Sequence, residues 1–161
     1  MKQLAKVLGV ISVILALIAA YLFAGTHLQV RVTETQIVAA SEQPELFAAS
    51  VSRLANGELG DRAYTQNVPE SADDCCFVRI RLNVRSFGLL PCEWITAGVT
   101  PLAGDIALVE SRVPDIGALA SRQVDLWLLA EKGAAADGRG VWIDYYAFGS
   151  PTYAESQDAE H

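Results

Sequence analysis

The side chains of this 161-residue chain that could carry covalent or metal chemistry are few: three cysteines, two histidines and a scatter of acids. Cys75 and Cys76 are adjacent, and Cys92 follows 16 residues after Cys76. A redox pair needs C-x-x-C spacing or a base beside the thiol, and neither is present. A Cys76 to Cys92 bridge would add about 3 kcal/mol on the chain-entropy argument. If 77–85 and 92–100 are neighbouring antiparallel strands, however, the two thiols stand at opposite ends, about 30 Å apart at about 3.3 Å per residue. A disulfide needs alpha carbons within about 7 Å. Reduced thiols, or a strained bond within the adjacent pair, are therefore predicted. His27 abuts the exit of the uncharged run 7–25, a predicted membrane span, and His161 is the last residue, so neither is placed to activate a serine or cysteine and no catalytic triad is expected. Glu58, Asp61, Glu70, Asp73 and Asp74 lack the D-x-D-x-D-G ladder of a calcium loop and read as a solvated acidic segment. The expectation is a protein that is not an enzyme and holds no metal or cofactor.

Residues suited to binding are more numerous. Arg79, Arg81 and Arg85 make a basic stripe, read first as cross-strand partners for acids and second as a recognition stripe. Trp94, Trp127, Trp142, Tyr145, Tyr146, Phe148 and Tyr153 are the aromatic set. Tyr145 shares phase with Val141 and Ile143 and is assigned to the core, whereas Trp142 and Tyr146 fall on the opposite face with Asp144. Those two are candidates for stacking on a sugar or anchoring a protein. The segment 56–74 holds Gly57, Gly60, Asn67 and Pro69 with no sustained period, and predicts the longest irregular loop. Within it Arg62, Tyr64 and Gln66 have the composition of an adaptable contact, so they complete the predicted binding set.

The elements that would position these residues can be read from periodicity and charge. Residues 7–25 are 19 consecutive uncharged residues, about 28 Å as a helix, which matches the hydrocarbon core of a bilayer. A cleaved secretory signal is the alternative, but its apolar run is usually shorter and ends in small residues. Here Leu22, Phe23 and Ile18 occupy the positions where a cleavage site wants small ones, and Thr26 stands where a lipoprotein would have cysteine. Lys2 and Lys6 precede the run, so the positive-inside bias puts residues 1–6 in the cytoplasm and the remainder outside. All 19 acids lie beyond position 33, and removing Lys2 and Lys6 leaves 10 basic residues against them. That surface repels phosphate backbones, which excludes nucleic acid as the expected partner.

After the span, His27 to Ala39 reads as a strand, with Leu28, Val30 and Val32 alternating against Gln29, Arg31 and Thr33. Residues 41–44 offer a polar cap and a first-turn proline before Phe47, Val51 and Leu54, so a short helix over 44–55 is predicted, closed by Asn56 and Gly57. Strands follow at 77–85, 93–100, 105–112, 123–131 and 141–148, with Val78, Ile80, Leu82 and Val84 marking the clearest inward face. About six strands with one helix predict a mainly β fold: an immunoglobulin-like two-sheet β-sandwich over 27–153 behind a transmembrane helix, with 154–161 as a disordered acidic tail.

The order of membrane span, strand, Pro44-Glu-Leu-Phe47 helix, Phe77-Val-Arg-Ile-Arg-Leu-Asn83 strand, Glu93-Trp94-Ile95, Pro101 through Asp105 and Tyr145-Tyr-Ala-Phe-Gly-Ser-Pro151 resembles a group of uncharacterised bacterial single-pass membrane proteins with an extracytoplasmic immunoglobulin-like domain. The resemblance covers nearly the whole chain, and its motifs bear fold rather than chemistry. It implies a cytoplasmic-membrane location with the domain outside. The expected role is a non-catalytic protein-interaction module of the cell envelope. The alternative is a glycan- or cell-wall-binding module using exposed aromatics, so the expected partners are the lipid bilayer through 7–25 and another envelope protein or a glycan.

Overall fold

The computed structural model describes residues 2–156, with the side chains of 2, 4, 5 and 22–24 outside the described set. It is mainly β: helix α1 (Lys2–Gly25), strand β1 (His27–Ala39), helix α2 (Pro44–Ala55), and strands β2 (Cys75–Phe87), β3 (Cys92–Val99), β4 (Asp105–Glu110), β5 (Ser121–Glu131), β6 (Val141–Ala147) and β7 (Ser150–Glu155). Every named strand pairing is antiparallel. One sheet has the order β1-β2-β5-β4 and the other β3-β6-β7. The two sheets share a single core. Val78, Ile80, Leu82, Val84, Leu126 and Leu128 of the first meet Ile95, Ala97, Ile143 and Tyr145 of the second.

The alternation that marks β2 in the sequence explains its place. Its even-numbered residues from Val78 to Val84 are at most 2% exposed, and its odd-numbered arginines look outward. That apolar face packs into the core shared with the second sheet, and the two edges of β2 are hydrogen-bonded to β1 and β5. This corrects the sequence expectation that 77–85 and 92–100 are neighbours: β3 belongs to the opposite sheet. The separation of thiols survives the correction, because Cys76 is the second residue of β2 whereas Cys92 lies beside Ser86 near its far end. All three cysteines are free and buried.

A bulge between Val32 and Glu34 reverses the phase of β1. Before it Leu28 and Val30 face the shared core, and after it Val38 turns to the outer face of the sheet. There α2 covers a second, smaller apolar cluster of Ala40, Leu54, Leu59, Phe77, Val109 and Leu129, which is why both faces of this end of the sheet are apolar. The bounds of α2 are those the sequence predicts, with Pro44 in the first turn and Gly57 at φ +70 just past its end. The polar cap is not: Ser41 sits in a 3-10 turn, Gln43 is the N-cap, and no side chain caps the helix.

Two further corrections concern the C-terminal part. A seventh strand, β7, occupies Ser150–Glu155 and Ser156 bridges to Val30, so the predicted tail is ordered structure through Ser156. Residues 157–161, the rest of that tail, lie outside the described residues. The two-residue Phe148-Gly149 turn that joins β6 to β7 escapes a pattern search because Phe is an unusual occupant of such a turn. As for the predicted span, α1 is helical over its 24 residues. Among the described residues, no helix is long and apolar enough to cross a membrane.

Candidate functional site

The predicted binding residues separate into two places. Arg62 lies in a 3-10 turn (Gly60–Arg62) between α2 and β2. Its guanidinium donates to Ser111 Oγ at 3.2 Å and to the Leu59 carbonyl at 3.4 Å. Arg53, on the last turn of α2, donates to the Val109 carbonyl at 2.9 Å. These two and Arg112 line an open groove of about 280 Å³ together with Ile95, Thr96, Val109, Glu110 and Ser111. Among the described residues, ion pairs within 4 Å involve only Arg79, Arg81 and Arg139 as cations, so none of the groove arginines is neutralised by a carboxylate at contact distance. Their local sequences carry no shared motif. Arg53 and Arg112 join Arg62 only because α2 and the end of β4 converge on the same sheet edge.

Tyr64 corrects the reading of this loop as a solvent contact. It is half-buried against the main core, its backbone N–H donates to the Ile106 carbonyl at 2.8 Å, and its hydroxyl donates to the Val99 carbonyl at 3.1 Å. Burial, assisted by Asp105 and opposed by Arg62, pushes its phenol above the usual tyrosine range. Tyr64 therefore fastens the loop across the gap between the sheets, and only Gln66 of the predicted trio is fully exposed. Arg62 remains half-open at the groove.

Trp142 and Tyr146 lie on the outer face of the second sheet, as the alternation predicts. The Trp142 ring lies on Gly98, where an added Cβ would come within 2.0 Å of it, so the glycine is required for the tryptophan to lie flat. Tyr146 is 44% exposed and leans on Trp94 with ring centroids 6.1 Å apart and planes tilted by 60°. The two predicted rings are thus each engaged with a different neighbour, and the tilted pair does not present a flat surface.

The basic stripe forms cross-strand pairs for two of its three members. Arg81 bonds Asp125 on β5 at 2.8 and 3.3 Å and Glu34 on β1 at 2.8 Å, and Arg79 bonds Gln36 at 2.5 Å while lying over Trp127. Arg85 lies instead over the Phe87 ring at 4.7 Å. The pair that no pattern suggests is Arg139 with Asp105. Both are buried, joined through two bonds of 2.9 and 2.6 Å, and completed by the Leu102 N–H and the carbonyls of Ala135 and Ala136.

The thiols are poorly placed for chemistry. Burial pushes all three above the ordinary range, and Asp74 adds to the rise at Cys75. For Cys76, Arg139 opposes the rise without overcoming it. A thiol held protonated is a weak nucleophile and a weak ligand. No group of three His, Cys, Asp or Glu side chains that could hold a metal ion occurs among the described residues. In comparisons with family models, with curated proteins and with solved structures, nothing matches this chain.

Proposed function

We propose that this protein is a membrane-anchored, non-catalytic interaction module of a bacterial cell envelope, with an immunoglobulin-like domain held outside the cytoplasmic membrane. The observation that carries the interaction role is the arginine groove. A chain of net charge −7 leaves three arginines without a contacting carboxylate on one sheet edge, where they fit an acidic segment of a partner protein. Arg112 is the most exposed of the three, and Arg53 and Arg62 are held in place by backbone and hydroxyl acceptors.

The anchor reading is supported by α1 itself. Ten of its apolar side chains, from Val7 to Tyr21, are between 47% and 71% exposed; they take up about 220° of its circumference at about 100° per residue, and the rest is small uncharged Gly9, Ser12, Ala16, Ala19 and Ala20. A helix so broadly apolar and without a charged face is stable only when something apolar covers it, and a bilayer does so. The immunoglobulin-like reading is supported by the strand order, since β1-β2-β5-β4 against β3-β6-β7 is the four-plus-three arrangement of constant-type immunoglobulin domains. The glycan alternative has less behind it, because the tilted Trp94 and Tyr146 rings make no flat stacking surface.

Crosslinking in intact membranes followed by pull-down of the full chain tests the interaction role. With Arg62→Gln and Arg112→Gln together, capture of the wild-type partner should fall while the melting temperature stays nearly unchanged. Wild-type capture should also weaken as salt rises, because exposed charges are screened within about 8 Å at physiological ionic strength. Equal capture by the double variant would remove the groove from the contact site.

A further inference from the structure

Among the described residues, three other than glycine hold a positive φ: Trp94 at 56°, Leu119 at 56° and Phe148 at 51°. In that region Cβ crowds the backbone, and glycine, asparagine and aspartate are the usual occupants. Here each is a large apolar side chain, and each is exposed, by 78%, 63% and 65%. Unfavourable backbone occupied by outward-facing apolar groups points to a use outside the domain's own packing.

Trp94 sits at the irregularity between Glu93 and Thr96 in β3, and Leu119 and Phe148 come from two separate loops, yet the fold gathers the three at one end. Phe148 lies in the β6–β7 turn, directly after Ala147, which pairs with Cys92 at the start of β3. Cys92 exchanges backbone bonds of 2.8 and 3.0 Å with Ile116, in the loop that carries Leu119. Leu119 donates its N–H to the Gly88 carbonyl at 3.2 Å, and Asp115 of the same loop accepts the Trp94 N–H at 3.0 Å. Gly88 in turn lies so close to Thr26 that an added Cβ would be 2.6 Å from its alpha carbon. Thr26 is the single residue between the end of α1 and the start of β1, and it is 6% exposed. The end that presents the strained apolar residues is therefore the end from which α1 leaves, with no flexible linker between them.

We infer that this end is a lipid-contacting collar: Leu89, Leu119 and Phe148 enter the outer leaflet around the root of α1, with Trp94 and Tyr146 at headgroup level. The inference rests on the reading of α1 as a membrane anchor. One residue of chain spans at most about 3.6 Å, less than the headgroup layer, so a domain fixed at Thr26 has its adjoining loops within that layer. The order of side chains fits. Leu89, 54% exposed, and the Leu119 and Phe148 side chains sit on the turns, while Trp94 and Tyr146, apolar rings with polar edges, stand one step back along the strands. Arg85 over Phe87, stacked in turn on His27 at 5.4 Å, places a cation at the same end for anionic headgroups. The Asp115 carboxylate at this end is engaged by the Trp94 N–H.

The full chain reconstituted into vesicles of phosphatidylethanolamine and phosphatidylglycerol gives the test, read by flotation and by quenching of tryptophan emission with brominated lipids. The chain should float with the vesicles. Lipids brominated near the headgroup end of the acyl chain should quench the Trp94 component roughly twofold, and more than lipids brominated near the chain terminus. Trp94→Phe should abolish the quenched component and so assign it. Leu119→Asn with Phe148→Asn should reduce the quenching while leaving the melting temperature equal or higher, because asparagine tolerates left-handed backbone. Flotation without quenching of Trp94 would overturn the collar and leave the anchor standing. Failure to float would overturn the anchor and the collar with it. Unquenched Trp94 together with concentration-dependent crosslinking between copies would assign the surface to a second copy and also overturn the collar.

Discussion

Arg139 and Asp105 show how much one buried contact can carry. Their side chains are 2% and 0% exposed, and every polar atom of the pair has a partner among the β5–β6 loop carbonyls, the Leu102 N–H and each other. Desolvation offsets much of the Coulomb gain of such a pair, so its removal as a unit is cheap compared with removal of one half. Arg139→Met leaves the Asp105 carboxylate uncompensated and should destabilise the protein by about 3–5 kcal/mol in urea unfolding. Adding Asp105→Leu to Arg139→Met should recover a substantial part of that loss. A double variant no more stable than the single one would show that the pair acts mainly by holding the loop. Tyr64 makes a related point at lower stakes: its ring and hydroxyl fasten a loop that reads, by composition, as free.

At the scale of elements, β2 and its neighbours carry the surface charge that matters for pH. The Arg81 side chain, bonded to Asp125, holds that carboxyl below its ordinary range, against a smaller opposing effect of burial. A depressed carboxyl gives stability that is present above the unfolded-state value, near 4, and lost as pH falls through the folded one. Both side chains are about a third exposed, so solvent screens the pair and the effect is modest. Asp125→Asn should therefore lower the melting temperature slightly at neutral pH and converge with wild type once the pH has fallen through the depressed value of Asp125. A difference that stays constant from neutral to acid pH would assign the effect to packing instead. The helix α2 works differently, closing the apolar outer face that the bulge in β1 and the Leu129 end of β5 create together.

For the molecule as a whole, the arrangement to be tested is an outward domain on an inward-starting helix. Protease added to intact spheroplasts should digest the domain and leave a short membrane-embedded stub that retains Met1. Full protection would place the domain inside, and a mature N-terminus between Tyr21 and His27 would make residues 7–25 a cleaved signal. The extent of digestion also reports on the domain itself. Two sheets with a shared core and one covered outer face should be cut first in 56–74, although Tyr64 pins the middle of that segment.

Local chemistry was enough for the strands with strict alternation and for α2. In β2, β5 and β6 a period of two reads directly as one buried face, and in Pro44–Ala55 the first-turn proline, the helical spacing and Gly57 agree on both ends. The 19-residue uncharged run is equally a property of the sequence alone, because hydrophobicity needs no partner to be counted. Pairing is different. Which strand lies beside β2, the inward turn of Tyr64 and the burial of Arg139 on Asp105 depend on contacts between residues tens of positions apart, whose energies leave no local period. The strand β7 was hidden because Phe148, at φ 51, takes the first position of the Phe148-Gly149 turn, where glycine, asparagine or aspartate is the usual signal. The arginine groove and the apolar end beside Thr26 are likewise tertiary creations, each assembled from separate elements that share no motif and meet only when the two sheets close on their core.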